Sequence, residues 1–262
     1  MVTVEPQRYF ADKIAGDYFE VQTVVPTGQS PETYDPAPYE MVRIAQSKAY
    51  FQIGKIGFEQ AWIQTIKDNN PEVIFFDLSE GVKWLEGECS GHEHDDDEHG
   101  HHHGVADPHI WNATGPAKII AKNTLDAFVE LDPEHKDIYQ NSYTELISEI
   151  EDTERILHEM LDTLTHRTFI IYHPALTYFA DEFNLVQFAI EAEGKEPSAA
   201  SMKELVDRAK DAGVRVVFVQ QEFDRKHAEQ LASEIGARIV TINPLDVQWK
   251  EQMVYMAEEL IK

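Results

Sequence analysis

From Pro133 to about Leu164 the chain contains no glycine, and no proline after the first residue. Asp132-Pro133 supplies a helix start, a capping side chain followed by proline at the first helical position, where its missing N–H costs nothing. Apolar residues then recur at Tyr139, Tyr143, Leu146, Ile150, Ile156, Met160 and Leu164, mostly three or four apart, which is the spacing of a helix with one buried face. A single helix of about 30 residues would span roughly 45 Å, longer than a small domain needs. Residues 133–165 are therefore read as a connecting helix, between one lobe at 1–132 and another at 166–262. A length of 262 residues fits two domains better than one.

On either side of this segment short β-rich runs alternate with helical ones, which predicts α/β architecture in both lobes. In the first lobe the expected strands are Phe19–Val25, Ala49–Ile53 and Val73–Leu78. The amphipathic stretches Pro38–Ser47 and Phe58–Lys67 lie between them, and a helix over Asn112–Glu130 follows. In the second lobe strands are expected at Thr168–Tyr172, Val186–Glu191, Val214–Val219 and Arg238–Ile242, with helices at Leu176–Glu182, Ala199–Ala212, Arg225–Ile235 and Val247–Ile261.

The formal net charge of −26 repels phosphate backbones and anionic membrane surfaces and favours cations. Nucleic acid is thereby an unfit partner. The one cysteine, Cys89, excludes an intramolecular disulfide and a cysteine-based zinc finger. No apolar run approaches the ~18 residues of a membrane span. The first residues lack the basic and apolar regions of a secretion signal, so the protein is either cytosolic or begins after a removed signal.

Residues 91–104 read Gly-His-Glu-His-Asp-Asp-Asp-Glu-His-Gly-His-His-His-Gly, six of the twelve histidines interleaved with five carboxylates. Nothing in this tract can build a core, and a solvated loop is expected. Imidazoles suit zinc, copper and nickel, so His92, His94, His99, His101, His102 and His103 are read as a loose metal-capturing set. A flexible tract cannot supply a fixed site. In open α/β sheets ligands gather beyond the C-terminal strand ends, and four places qualify. His173 directly follows the strand Thr168–Tyr172, and His109 stands where the acidic loop gives way to a helix. Glu32 lies in the loop after Phe19–Val25, while Asn243 and Asp246 follow Arg238–Ile242.

These pieces, in order, resemble the zinc- and manganese-binding solute-binding proteins of ABC transporters, of the zinc-uptake and metal-adhesin type. The likeness runs over essentially the full chain. It is carried by Val25-Pro26-Thr27-Gly28-Gln29-Ser30-Pro31-Glu32-Thr33-Tyr34-Asp35-Pro36, the His-rich acidic insertion, Asp107-Pro108-His109-Ile110-Trp111, Tyr172-His173-Pro174-Ala175 with Tyr178, and Asn243-Pro244-Leu245. The resemblance implies two Rossmann-like α/β lobes joined by one long rigid helix, with a metal in the cleft between them. It further implies delivery to an ABC permease and a periplasmic or other extracytoplasmic location, with a signal or lipoprotein segment removed. The expected partners are the metal ion and the permease, with a monomeric chain. His109 and His173 match the family's ligands directly. Glu32 stands where the family usually has His, and Asn243 where it usually has Asp, with Asp246 nearby. Glu and His both bind Zn²⁺, at about 2.0–2.2 Å, and carboxylate content also admits Mn²⁺.

Enzyme motifs are weaker. His158-Glu159-Met160-Leu161-Asp162 has Asp where a zinc protease helix needs its second His. Gly87-Glu88-Cys89-Ser90-Gly91 resembles a nucleophile elbow but opens the polar loop rather than a helix. A metallohydrolase built on His109, His173 and Glu32 would also need a general base beside the metal, and no residue of these motifs is clearly that base. A cytosolic metal buffer would explain the tract but not two lobes. The expected activity is therefore capture and transport, not catalysis.

Overall fold

A computed structural model of the chain describes residues 1–87, 106–191 and 197–262. The six histidines of the acidic tract and Cys89 lie outside the described residues. The chain forms two compact units, and neither is a continuous stretch. One contains Met1–Lys83, Ile110–Leu157 and Pro244–Val254; the other contains Trp84–His109, His158–Asn243 and Tyr255–Lys262.

In the first unit the elements are α1 (Glu5–Ala15), α2 (Pro38–Ala45), β1 (Ala49–Gln52), α3 (Gly57–Asn69), β2 (Ile74–Asp77), α4 (Thr114–Leu131) and α5 (Lys136–Leu161), the last of which enters the second unit at His158. β1 and β2 pair in parallel, Ala49 opposite Ile74 and Gln52 opposite Asp77. The expected strand Phe19–Val25 is instead an irregular segment with a single parallel bridge, Thr23 to Val2, and Val2 bridges Phe51 on its other side. The reason is the length of its partner. Only Met1–Val4 are extended before Glu5 and Pro6 start α1, too few residues for a ladder. Helix α1 is a feature the strand–helix pattern passes over, although Pro6 near its start and apolar Tyr9, Phe10 and Ile14 mark it.

The core of this unit joins Val24, Val25, Ile44, Tyr50, Phe58, Ile66 and Val73. Beneath it Glu59 of α3 is fully buried. It accepts the Ile53 N–H at 2.8 Å, the Gly54 N–H at 2.7 Å and the Thr3 hydroxyl, and Thr3 in turn hydrogen-bonds the Tyr50 hydroxyl at 2.8 Å. A second aromatic group closes around α9 (Trp249–Ile261). The indole N–H of Trp249 donates to Trp111 O, and that of Trp111 donates to Pro244 O at 2.8 Å.

The second unit holds β3 (Thr168–Ile171), α6 (Thr177–Glu182), β4 (Val186–Ala189), α7 (Ala199–Asp211), β5 (Val216–Gln220), α8 (Lys226–Ile235) and β6 (Arg238–Ile242). All four strands are parallel, in the order β4-β3-β5-β6. The apolar runs of the two central strands, β3 and β5, such as Val216–Val219, are those of strands covered on both faces. The Ser198 hydroxyl caps α7 by accepting the Ser201 N–H at 3.1 Å, and Gly236, at φ +73°, ends α8. From β3 the chain turns to β4 on one side, while β5 lies on the other. The C-terminal ends of β3 and β5 therefore flank a topological switch point, where parallel sheets leave a crevice.

Burial, the charge of Asp77 and three hydrogen bonds act together on Glu59. Burial dominates and pushes its pKa up from 4.5 to about 7. A carboxyl with a raised folded pKa stabilises the fold at low pH and loses that contribution between pH 4.5 and about 7, here about 3 kcal/mol. Thermal melts of the wild type should therefore show a fall in stability across this interval, and Glu59→Gln, whose amide does not ionise, should show a flatter profile. Equal slopes for the two proteins would reject this role for Glu59.

Candidate metal centre

In the second unit, each parallel strand delivers a polar residue just past its C-terminal end: His173 after β3, Glu191 after β4, Glu222 after β5 and Asn243 after β6. His173 is held to both neighbouring strands. Tyr172 N–H donates to Phe218 O and Glu191 N–H to Tyr172 O, both at 2.9 Å. The buried Gln220 side chain then acts as one more strand residue, donating to His173 O at 2.7 Å and accepting the His173 N–H at 3.3 Å. The imidazole stacks on Phe223, ring centroids 5.4 Å apart and planes at 18°. Glu191 Oε2 lies 3.5 Å from its Nδ1.

His109 is set by a different device. Asp107 accepts both the His109 N–H and its ring Nδ1, each at 2.8 Å and through the same oxygen. Both side chains are almost entirely buried. Burial by itself raises the Asp107 pKa, but the facing imidazole and hydrogen bonds from His109 and Thr177 outweigh it and hold the carboxyl below its usual range. With Nδ1 turned to a carboxylate, Nε2 is the nitrogen that presents a lone pair, the arrangement metal-binding histidines adopt. Tyr178 locks the segment: its hydroxyl donates to Asp107 O at 3.0 Å and accepts the Leu85 N–H at 3.1 Å. Asp107 N–H donates to Leu85 O at 2.9 Å, and Glu86 bridges Ala106 in antiparallel fashion. The chain ends that bound 88–105 are thus tied together beside His109.

The structure brings His109 and His173 together. Their ring centroids are 5.1 Å apart, edge to face, and each offers a nitrogen within 4.8 Å of the other's. Two nearby carboxylates, Glu191 and Glu222, are not among the residues singled out from the sequence. The strand-end rule that points to His173 and Asn243 points to them equally once it is applied to β4 and β5. Burial raises the Glu222 pKa, and a hydrogen bond from its own backbone N–H, then the charges of His173 and His109, oppose that rise.

Glu32 belongs to the first unit, in a loop folded through two turns, Gln29 N–H to Pro26 O and Thr33 N–H to Ser30 O. That loop rests on the start of α3. Gly57 N–H donates to Glu32 Oε2 at 3.1 Å, and Phe58 N–H to Pro31 O at 2.9 Å. A helix N-terminus favours a negative group there. Only glycine fits at 57, since a Cβ would stand 2.3 Å from the Glu32 carbonyl oxygen. Asp246, also in the first unit, accepts the Gln248 N–H at 2.9 Å ahead of α9.

Comparison with known proteins agrees with this architecture. The model of the ZnuA family, described as zinc-uptake complex component A, periplasmic, matches residues 1–260. The high-affinity zinc uptake system protein ZnuA of Bacillus subtilis (strain 168) is 29% identical over 96% of this chain and 80% of its own length. The zinc-binding lipoprotein AdcA of Streptococcus pneumoniae (strain ATCC BAA-255 / R6) is 24% identical over 94% of this chain and half of its own. A crystal structure of ZnuA superposes with a TM-score of 0.90 at 35% identity, covering 99% of this chain and 96% of that one. The chain belongs to the ZnuA family, whose members are substrate-binding components of metal transporters. Among the described residues no helix is long and apolar enough to cross a membrane.

Removing the Tyr178 hydroxyl leaves the buried Leu85 N–H without its acceptor and Asp107 O without its donor, which costs about 1–3 kcal/mol. Tyr178→Phe should lower stability by that amount in urea unfolding while keeping the far-UV spectrum. A change within 0.3 kcal/mol, about the error of such additivity tests, would show that the lock does not matter.

Proposed function

We propose that this protein captures a divalent transition metal, zinc first and manganese second, outside the cytoplasm and hands it to an ABC permease. The single observation that carries the reading is the pair of imidazoles, buried His109 and half-buried His173, edge to face with ring centroids 5.1 Å apart and a carboxylate at the Nδ1 side of each. Two neutral imidazoles are good zinc ligands, and Asp107, bonded to His109 Nδ1, fixes the tautomer of that ring and raises its basicity. Membership in a zinc-uptake family and the zinc-binding names of its relatives support the choice of metal.

In this reading Glu32 supplies the third ligand, an anionic oxygen in place of a third imidazole, and Asn243 or Asp246 contributes to the remaining shell. Residues 1–132 and 166–262 act as the lobes and α5 as the connector. The His-rich tract, tethered close to His109 in sequence, supplies weaker sites that load the main one. The protein works as a monomer, binds no nucleic acid and turns over no substrate.

Titration calorimetry with Zn²⁺ should show one tight event that survives deletion of residues 92–103, while the deletion removes additional, weaker equivalents. Loss of all tight binding on deletion would reject the His109–His173 site, and unchanged stoichiometry would reject the loading role. Glu32→Ala should weaken zinc binding at least tenfold, which is 1.4 kcal/mol, and Glu32→His should keep or sharpen the preference for zinc over manganese. Near-normal affinity in Glu32→Ala would remove Glu32 from the ligand set. Metal-dependent hydrolysis of an ester, peptide or phosphoester, lost in His173→Ala, would overturn the transport reading.

A further inference from the structure

Glu222 stands two residues past the end of β5, as His173 stands two residues past the end of β3, so the two flank the switch point of the sheet. Its Oε2 is buried and has no hydrogen-bond partner among the described residues. The charges that act on it most are those of His173 and His109. The next residue, Phe223, stacks on the His173 ring, which ties the β5 turn to the imidazole. A carboxylate oxygen withdrawn from water with no donor is a cost that folded proteins seldom sustain without a use. The groups it faces are imidazoles, and Gln220, two residues back, is already spent on the His173 backbone.

We propose that Glu222 is an oxygen ligand of the metal bound by His109 and His173. This rests on the metal-capture reading and adds a residue from a third position on the same sheet edge. The chemistry is consistent. Two neutral imidazoles leave a divalent cation's charge uncompensated, and each carboxylate cancels one unit, so Glu222 together with Glu32 would make a neutral shell. A cation between Glu222 and the histidines also supplies what its buried oxygen lacks. Asp107 is oriented differently, since it hydrogen-bonds His109 Nδ1 and serves that ligand rather than the ion.

The experiment compares wild type, Glu222→Gln and Glu222→Asp, each stripped of metal. Zinc affinity is read by competition with a chromophoric chelator, ligand geometry by the visible spectrum of the Co²⁺-loaded protein, and stability by thermal melts without metal. Glu222→Gln should bind zinc at least tenfold more weakly and shift the Co²⁺ bands. Without metal it should melt at or above the wild-type temperature, because it no longer holds a carboxylate whose Oε2 is buried without a donor. Glu222→Asp keeps the charge and should recover part of the affinity. Wild-type zinc binding with a Glu222→Gln affinity within twofold, or a weakened affinity with an unchanged Co²⁺ spectrum in both variants, overturns ligation by Glu222 and leaves the capture reading standing. Absence of tight zinc binding in the wild type overturns both.

Discussion

Gln220 donates its side-chain N–H to the His173 carbonyl and accepts the His173 N–H, and so continues the β3–β5 ladder past its last main-chain pair. Much of the candidate centre follows from those two hydrogen bonds. A residue just beyond a strand would ordinarily belong to a loop, with loop freedom. Here its backbone is fixed on one side by a buried amide and on the other by the β4 edge through Glu191 N–H and Tyr172 O. The stack on Phe223 then sets the plane of the ring, and Pro174, with no N–H to offer, takes the chain out of the sheet immediately afterwards. A side chain placed in this way inherits the rigidity of a parallel sheet, which is what a binding site needs if its donors are to be held to a few tenths of an ångström.

His109 reaches comparable definition without a strand. Asp107 holds its backbone and its ring through one carboxylate oxygen, so the turn and the tautomer are specified together. That oxygen could not do both if the Asp107 segment were loose, and this is prevented by two hydrogen bonds that tie Tyr178 of α6 to Leu85 and Asp107 and a third between Leu85 and Asp107 themselves. The apparent disadvantage of a long acidic insertion next to a precise ligand is thereby contained. The described residues on either side of 88–105 are joined by the Glu86–Ala106 bridge.

Most of this was legible in the sequence because it depends on local rules. Gly/Pro-free periodicity gives α5, apolar runs bounded by turn residues give β1 to β6, and strand-end position gives His173. Legibility fails where a feature depends on a partner distant in sequence. The segment Phe19–Val25 has strand composition, but its ladder is cut short by the start of α1 more than a dozen residues earlier. The roles of Gln220 and Glu222 need the strand order β4-β3-β5-β6, because only that order puts the ends of β3 and β5 side by side. Discontinuous units are hidden for the same reason: nothing in the residues 244–254 themselves assigns them to the unit that begins at Met1, whereas the tilted ring contact of Trp249 with Phe10 and its bond to Trp111 do.

The donor set also bears on how a chain of net charge −26 can be selective. A diffuse negative field raises the local concentration of every divalent cation alike, so it speeds encounter without choosing among ions. Choice comes from the donors that are fixed. Two imidazoles weight the site toward ions high in the Irving–Williams order, and each added carboxylate moves it toward harder ions such as manganese. His109 and His173, held by Asp107 and Gln220, are the nitrogen donors whose placement is fixed and which can therefore discriminate among ions. In the proposed donor set, an oxygen in place of a third imidazole relaxes nitrogen preference at one position only. Because the two nitrogen donors are the rigid ones, the preference they impose is the part of the site that the oxygens can adjust but not reverse.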